Sequence, residues 1–194
     1  MTLLERGGVA VVHGLLDEGL QAQLLEEAMK RLAEAEKFVT EGRNLEWRGG
    51  NPARNYRATA AGLEQAQIFC SEPMLHALSD ICGFALQSSG TGTYTYYHSP
   101  GDFLALHRDI VKCEVATITC LEDDGPEVRG GLRAYPEYAG RPLLEIYQDR
   151  PQGLELPTRR GDTVVLAGGV VPHEVTPMVA GQRRTVALAC YAPR

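Results

Sequence analysis

The sequence lacks the features that mark membrane-bound and nucleic-acid-binding proteins. No apolar run approaches the roughly 20 residues that a membrane-spanning helix needs, and the 194 residues contain no long basic run. Lys and Arg number 19 against 25 Asp and Glu, which gives a formal net charge of -6. An acidic chain without a polybasic patch is a poor ligand for nucleic-acid phosphates and for anionic lipids. We therefore expect neither a nucleic acid nor a membrane among its partners.

Cysteine is also sparse, with five residues and no CxxC pair. The absence of such pairs argues against a cysteine zinc site. The odd number and wide separation of Cys70, Cys82, Cys113, Cys120 and Cys190 predict reduced thiols in a cytoplasmic protein. The amino-terminal segment agrees, because it lacks the basic-then-apolar order of a secretory signal. With 44% hydrophobic and 23% charged residues, the composition is that of an ordinary globular protein.

The sequence pattern changes near the middle of the chain. We predict one domain over residues 1–194, in which residues 1–86 form a helical N-terminal support with an irregular loop and residues 87–194 form the β-rich core. Asp17 is the predicted N-cap of an amphipathic helix that runs to about Lys37. Ser71 is the predicted N-cap of a later helix, with Pro73 in its first turn.

After Leu86 the pattern indicates β-structure. Segments rich in β-branched and aromatic residues alternate with Gly, Pro and Asp turns, which favours an antiparallel sandwich or barrel. The predicted strands are 91–98, 103–106, 111–121, 131–135, 142–146, 162–167, 170–176 and 183–191. Residues 122–129 are interpreted as an acidic surface turn.

Two separated stretches of this β-rich half contain residues that can bind a metal. His107 and Asp109 are two residues apart, so on an extended strand their side chains point to the same face. His173 follows an apolar run and a Gly-Gly turn much later in the chain. Two imidazoles and one carboxylate can hold one face of an octahedral metal and leave positions open, as in non-haem Fe(II) oxygenases. Arg183 and Arg184 stand ten and eleven residues beyond His173, where a guanidinium can bind a carboxylate through two parallel hydrogen bonds.

Further short motifs occur around these residues in a fixed order. The full set is Tyr97 with Gly101, His107 with Asp109, Gly130-Gly131-Leu132, Arg160-Gly161-Asp162, His173 with Pro177, and Gly181 with Arg183. In order and spacing it resembles the catalytic domain of the Fe(II)/2-oxoglutarate-dependent dioxygenases, particularly the prolyl-4-hydroxylase-like branch. The resemblance covers about the carboxyl-terminal half of the chain.

The resemblance implies a fold and a reaction. The fold is mainly β with N-terminal helices, and its core is a double-stranded β-helix, or jelly roll. Fe(II) would be held by His107, Asp109 and His173. The implied reaction is hydroxylation of a small molecule, an amino acid or a peptide, with release of succinate and CO2. Retention of the carboxylate at Asp109 favours hydroxylation or desaturation over halogenation.

The resemblance also implies a site for 2-oxoglutarate. The distal carboxylate of this cosubstrate would pair with Arg183, and Tyr97 would supply a hydroxyl partner. Arg183 is preferred because its distance from His173 matches the prolyl-hydroxylase-like spacing. Arg184 is the alternative, since neighbouring strand residues face opposite sides and the two arginines cannot both face inward.

Residues 44–58 have a distinct, turn-rich composition and are predicted to form a loop. We expect this segment to cover the active site and to supply Trp47, Arg54 and Arg57 to the substrate. The alternative is that Trp47 and Tyr56 fill the junction between the helices and the barrel.

Two other functions are compatible with the sequence. The first is a cupin-like metal enzyme that does not use 2-oxoglutarate, although such sites usually contain more histidines. The second is a non-catalytic jelly-roll binding module, against which three converging metal ligands argue.

Overall fold

The helices begin where the sequence places their caps. The computed structural model describes residues 2–124, 131–156 and 158–194. The first helix, α1 (Glu18–Arg31), follows Asp17, whose carboxylate accepts a hydrogen bond from the N–H of Leu20 at 2.8 Å. After α2 (Leu63–Phe69), the helix α3 (Glu72–Cys82) follows Ser71, whose hydroxyl accepts from the N–H of Met74 at 3.3 Å. Both predicted caps are confirmed.

The last helix, α4 (Leu143–Asp149), interrupts the β-rich half of the chain. Short 3₁₀ turns lie at Leu4–Arg6, Leu32–Glu34 and Pro136–Tyr138. None of the helices in the described ranges has the length and apolarity needed to cross a membrane.

Eleven strands of the described residues form one antiparallel sheet. In chain order they are β1 (Val9–Val12), β2 (Glu36–Thr40), β3 (Arg54–Ala60), β4 (Leu86–Tyr97), β5 (Phe103–His107), β6 (Val115–Asp124), β7 (Leu132–Ala134), β8 (Leu154–Leu156), β9 (Thr163–Leu166), β10 (His173–Val175) and β11 (Arg183–Pro193). Their order in the sheet is β1-β9-β6-β11-β4-β3-β5-β10-β7-β8, and β2 pairs with β3 outside this path. The prediction of a mainly β chain with N-terminal helices is confirmed.

Strand β3 joins the two halves of the sheet. Its residues 57–60 pair with β4, whereas Arg54 and Asn55 pair with β5. Because one strand changes partner along its length, the sheet curls and its two halves enclose an interior cavity. The segment around β3 was expected to be a loop up to Ala58, but its turn-rich part ends before Arg54.

Two other segments differ from the expected structure. Helix α1 ends at Arg31 rather than near Lys37, because Glu36 already begins β2 and pairs with β3. Residues 142–146 were predicted to form a strand, but Pro142 is the N-cap of α4 and residues 143–146 form its first turn, where Leu143 and Ile146 lie on one helical face and are buried.

Part of the acidic segment also differs. Residues 122–124 belong to β6 rather than to a turn. Residues 125–129 of the predicted turn, and Gly130 of the Gly130-Gly131-Leu132 motif, lie outside the described residues.

Strand β4 separates the helices from the interior. On its helix-facing side, the Tyr94 hydroxyl donates to Oε2 of Glu27 at 2.7 Å, and the Tyr96 hydroxyl donates to the carbonyl of Ala28 at 2.6 Å. Both tyrosines thus bury their rings and satisfy their polar ends. The alternate residues line the interior cavity: Thr91, Thr93, Thr95 and Tyr97.

A disulfide bond joins Cys113 to Cys190, so the prediction that all the cysteines are reduced is wrong. Cys113 lies in the turn after β5 and Cys190 lies in β11, 77 residues further along the chain. Sheet pairing brings the two together, which their spacing in the sequence does not show. Cys70, Cys82 and Cys120 are free thiols.

Removal of the disulfide is expected to lower the free energy of unfolding by about 2–4 kcal/mol, because a long closed loop restricts the unfolded chain. Urea denaturation of Cys190→Ser would measure the loss, with Cys70→Ser as the control. Thiol titration of the denatured protein should find three free thiols before reduction and five after it. Five thiols before reduction would show that the bond is absent.

Candidate metal centre and its cavity

Antiparallel strand pairing brings the candidate metal ligands together. His107 ends β5, His173 begins β10, and the two residues are direct partners across the sheet. Oδ1 of Asp109 lies 3.7 Å from Nε2 of His107 and 3.6 Å from Nε2 of His173. The three candidate ligand atoms all lie within 4.8 Å of one another. The fold therefore brings together the three residues that the sequence motifs predict as metal ligands.

Backbone carbonyls orient both imidazoles. Nδ1 of His107 lies 2.9 Å from the carbonyl of Ala105, and Nδ1 of His173 lies 3.0 Å from the carbonyl of Val171. A carbonyl only accepts hydrogen bonds, so Nδ1 carries the proton and the lone pair of Nε2 faces Asp109. Two directed nitrogen lone pairs beside a carboxylate are a donor set that fits a divalent metal ion.

The carboxylate of Asp109 supports the same conclusion. Its Oδ2 is buried and has no hydrogen-bond partner in the described part of the chain. A buried carboxylate oxygen without a partner is unfavourable unless something else satisfies it. A metal ion between Asp109 and the two histidines would do so.

Burial and mutual charge set the protonation states of the three groups. Burial lowers the pKa of His107, and the neighbouring His173 lowers it further. Burial also acts to lower the pKa of His173, but the Asp109 carboxylate outweighs it and the pKa is raised. Burial acts to raise the pKa of Asp109, yet the two histidines outweigh it and the pKa is lowered. Asp109 is thus ionised at neutral pH, as a metal ligand must be.

Gly168 leaves the space that the Asp109 side chain occupies. A Cβ atom on Gly168 would overlap Oδ2 of Asp109 and would lie 2.8 Å from its Cγ. The carbonyl of Gly168 also accepts a hydrogen bond from the Asp109 N–H at 2.8 Å. Since Gly168 has no positive φ, the need for glycine here is steric. The Gly-Gly turn of the sequence therefore contributes directly to the metal centre.

Arg108 lies between His107 and Asp109 in the sequence. Its side chain connects several loops behind the site. Its fully buried side chain donates to the carbonyls of Val170 at 2.7 Å, of Tyr138 at 3.1 Å, and of Arg141. The ring of Trp47 stacks on the guanidinium, 4.5 Å from ring centre to Cζ. Because successive side chains of an extended segment point to opposite faces, the Arg108 side chain lies on the face opposite His107 and Asp109. It therefore stabilises their segment from that face.

Residues 44–50 are fixed to the same turn. Arg48 donates from Nε to the carbonyl of Asp109 at 3.1 Å and from Nη2 to the carbonyl of Ile110 at 2.8 Å. Its Nη1 also pairs with Glu114 at 2.5 Å. The segment is therefore a fixed wall of the site rather than a free cover. The structural roles of Arg48 and Arg108 were not predicted from the sequence, where their only signal is closeness to an aromatic residue and to the metal ligands.

A cavity of about 260 Å³ adjoins the triad. Both halves of the sheet contribute to its mainly apolar walls. Besides the triad and the β4 residues, the lining includes Gly49, Gly50, Pro52, Arg54, Tyr56, Leu104, Arg108, Ile110, Cys113, Ile118, Leu132, Val175, Arg184, Val186, Leu188 and Cys190.

Arg184, not Arg183, faces this cavity. The Arg184 side chain is 2% exposed and pairs with Asp123 at 3.1 Å. The Arg183 side chain is 46% exposed, and its Nη2 lies 3.5 Å from Nδ1 of His98, outside the cavity. The structure therefore favours Arg184, the alternative, over Arg183 as the arginine of the cavity. Arg184 shares its face of β11 with the cavity-lining residues Val186, Leu188 and Cys190.

Tyr97 is the direct partner of Arg184 on the adjacent strand. It is buried and lines the cavity. Burial raises the pKa of Tyr97, and the nearby Tyr56 raises it further. The hydroxyl therefore stays protonated and is available as a hydrogen-bond donor beside the Arg184 guanidinium.

The three predicted substrate residues lie in different places. Arg54 lines the cavity. Arg57 does not, because it faces the other side of β3 and donates to the carbonyls of Leu32 at 3.2 Å and Ala35 at 2.8 Å. Trp47 does not line it either, since its ring packs on Arg108. It also fills no junction, because it is 52% exposed.

Tyr56 lies at the cavity rather than at a helix–barrel junction. Its ring centre is 5.6 Å from that of Tyr97.

The Arg160-Gly161-Asp162 motif forms a turn of the fold. Asp162 accepts a hydrogen bond from the N–H of Arg159 at 2.7 Å, and Gly161 has φ +91°. The motif therefore forms a tight turn that begins β9, away from the cavity lining.

Comparison with known proteins shows a likeness in structure but not in sequence. No protein-family model matches the chain, and no curated protein matches it. The epimerase SnoN from nogalamycin biosynthesis, solved with Fe3+, alpha-ketoglutarate and nogalamycin RO, superposes with a TM-score of 0.72 at 19% identity. That match covers 98% of this chain and 83% of SnoN.

Two other solved structures are similar to a comparable extent. A prolyl-4-hydroxylase from Pseudomonas putida gives a TM-score of 0.67 at 19% identity, over 99% of this chain and 96% of that chain. HygX from Streptomyces hygroscopicus, solved with nickel and 2-oxoglutarate, gives 0.69 at 15% identity, over 98% and 85%. The predicted double-stranded β-helix, the fold that the chain shares with these solved structures, is confirmed.

The steric role of Gly168 leads to a testable outcome. Gly168→Ala should displace the Asp109 carboxylate and weaken Ni(II) binding by about 10-fold or more. Titration calorimetry would measure the Kd. Gly131→Ala is the matched control, because a Cβ at Gly131 meets no atom of the described residues within 4 Å. Unchanged Ni(II) affinity in a folded Gly168→Ala variant would contradict the assignment.

Proposed function

We propose that this protein is an Fe(II)- and 2-oxoglutarate-dependent oxygenase that hydroxylates a small molecule, with release of succinate and CO2. The observation that carries the proposal is the His107–Asp109–His173 triad, with both Nε2 lone pairs directed at an ionised carboxylate. A buried arginine in the same cavity, Arg184, adds a site for an anionic cosubstrate.

The donor set fits Fe(II). Two nitrogen ligands and one oxygen ligand from the protein leave the remaining positions for other molecules, as in the facial triad of non-haem iron oxygenases. His107, Asp109 and His173 would hold the ion. When bound, Fe(II) with 2-oxoglutarate and O2 supplies an oxidative decarboxylation that is coupled to oxidation of a substrate C–H bond.

The other cavity residues would bind 2-oxoglutarate and shield the reacting groups from water. Arg184 would bind the distal carboxylate of 2-oxoglutarate through parallel hydrogen bonds, and the protonated hydroxyl of Tyr97 would donate to the same group. The apolar wall formed by Leu104, Leu132 and Val175 limits the access of water to the reacting groups.

The solved neighbours support this proposal. SnoN was solved with Fe3+, alpha-ketoglutarate and nogalamycin RO, and HygX with nickel and 2-oxoglutarate. The prolyl-4-hydroxylase and EctD from S. alaskensis, solved with 2-oxoglutarate and 5-hydroxyectoine, have the same fold. SnoN and EctD were thus solved with small molecules, which favours such a substrate for this chain over a peptide.

The two alternatives find less support. A cupin-like enzyme usually has a set of ligands richer in histidine, and a buried Arg184 would have no purpose in it. A binding module gains nothing from three converging ligand atoms. The retained carboxylate of Asp109 favours hydroxylation over halogenation.

The cytoplasmic location stays a prediction. The Cys113–Cys190 disulfide counts against it, because such bonds are rare in reducing compartments.

Loss of a metal ligand should abolish turnover. His107→Ala and Asp109→Ala are expected to reduce Fe(II)-dependent succinate formation by about 100-fold or more, as measured by mass spectrometry. His76→Ala is the control, since its side chain lies on α3 and is 82% exposed. Full turnover by a folded His107→Ala variant would rule the triad out.

The neighbouring arginines should differ in their effect on the cosubstrate. Arg184→Met is expected to raise the Kd of 2-oxoglutarate by about 30-fold or more, because it removes a buried charged donor. Arg183→Met, at the adjacent exposed position, should leave that Kd unchanged. Calorimetric titration of the Ni(II)-loaded variants would measure both. The reverse pattern would restore the assignment to Arg183.

A further inference from the structure

Arg54 differs from Arg48 and Arg184, which pair with acidic side chains beside the site. Arg184 pairs with Asp123 and Arg48 pairs with Glu114. No carboxylate of the described residues pairs with Arg54, although this side chain lines the cavity. Its three hydrogen-bond acceptors are all neutral: the carbonyl of Pro52 at 3.0 Å, the hydroxyl of Tyr56 at 3.4 Å and Oδ1 of Asn51 at 3.3 Å.

These contacts orient the guanidinium without neutralising it. Nε, Nη1 and Nη2 each make one of the three hydrogen bonds. A guanidinium has five N–H donors, so one donor on Nη1 and one on Nη2 stay free. Two donors on the terminal nitrogens match the two oxygens of a carboxylate.

Arg108 shows the surroundings of an arginine that stabilises the fold. Four carbonyls and an aromatic ring surround that guanidinium, which is fully buried. Arg54, in contrast, is only partly buried and lies between the cavity and Asn51 at its exposed edge. Its position is that of a residue that meets a ligand on the way into the cavity.

The surroundings favour an anion at this point. The cavity wall next to Arg54 is apolar, with Leu104 paired directly opposite it on β5. A positive charge beside a low-dielectric wall attracts anions more strongly than the same charge in water. The net charge of -6 does not attract anions to the protein as a whole. Selectivity for an anion therefore has to come from local residues.

We propose that Arg54 binds a carboxylate of the substrate, and that the substrate is therefore a small organic acid such as a free amino acid. The inference rests on the proposed oxygenase function, in which Arg184 is occupied by 2-oxoglutarate and Arg54 stays available. Arg54 is then a specificity-determining residue: it places the acid group at the cavity edge and directs the carbon chain towards the triad. The volume of about 260 Å³ restricts that chain to a small one.

The test compares acids with their neutral counterparts. The probes are the twenty common amino acids and their primary amides, added to the protein with Fe(II), 2-oxoglutarate and O2. The readouts are succinate formed above the level without any probe, and a gain of one oxygen atom in the probe by mass spectrometry. We expect acids to stimulate turnover, and the amide of each active acid to have a kcat/KM lower by about 30-fold or more.

Variants locate the effect at Arg54. Arg54→Met should remove the preference for the acid over the amide, whereas Arg54→Lys keeps the charge and should retain part of it. The KM for 2-oxoglutarate, measured in both variants, shows whether Arg54 also contacts the cosubstrate. Arg43→Met, at an exposed position that precedes the segment of residues 44–58 and does not line the cavity, is the charge-removal control. Calorimetric titration of the Ni(II)- and 2-oxoglutarate-loaded protein with each active acid gives the same comparison without turnover.

The outcomes separate the two proposals. If no succinate forms with Fe(II) and 2-oxoglutarate under any condition, the oxygenase function itself fails. If succinate forms without a probe but amides stimulate as well as acids, or no acid stimulates, the role of Arg54 is overturned. A rise in the KM for 2-oxoglutarate in Arg54→Met would also overturn it, because Arg54 would then belong to the cosubstrate site.

Discussion

The pairing of β5 with β10 is the constraint on which the site depends. It sets His107 directly opposite His173. Each imidazole is then oriented by a carbonyl two residues earlier in its own strand segment, that of Ala105 or Val171. The direction of both Nε2 lone pairs is therefore determined by the backbone, without help from other side chains. Such a site is organised before any metal arrives, so binding requires little rearrangement of the ligands.

Two residues with no ligand atom extend this constraint to the surrounding loops. Gly168 lies where a Cβ would overlap the Asp109 carboxylate, and its carbonyl holds the Asp109 N–H. Arg108 binds carbonyls of three separate loops from the opposite side of the strand. A buried cation with no acidic partner is unfavourable unless many acceptors surround it. The guanidinium of Arg108 therefore holds together the loops that supply these carbonyls. The wall formed by residues 44–50 is thus coupled to the strand that carries His107.

The sequence analysis predicted those features that depend on local chemistry. The helix caps at Asp17 and Ser71, the β-rich second half and the grouping of the triad follow from short-range patterns. The choice between Arg183 and Arg184 does not follow from such patterns, because most of β11 is buried on both faces. The alternation of polar and apolar residues then does not show which face points inward. The Cys113–Cys190 bond spans 77 residues and depends on sheet topology. Residues 142–146 show that a short apolar run fits a strand and a helix equally well.

The two cavity arginines also differ in what an arriving anion must do. Arg184 already has a counter-ion in Asp123, which keeps the buried guanidinium charged and oriented while the cavity is empty. A carboxylate that binds Arg184 has to share or displace Asp123, so part of its binding free energy is lost in that exchange. Arg54 has only neutral partners, and an anion that binds it displaces no acid. The cavity therefore contains one arginine at which charge is exchanged and one at which charge is added.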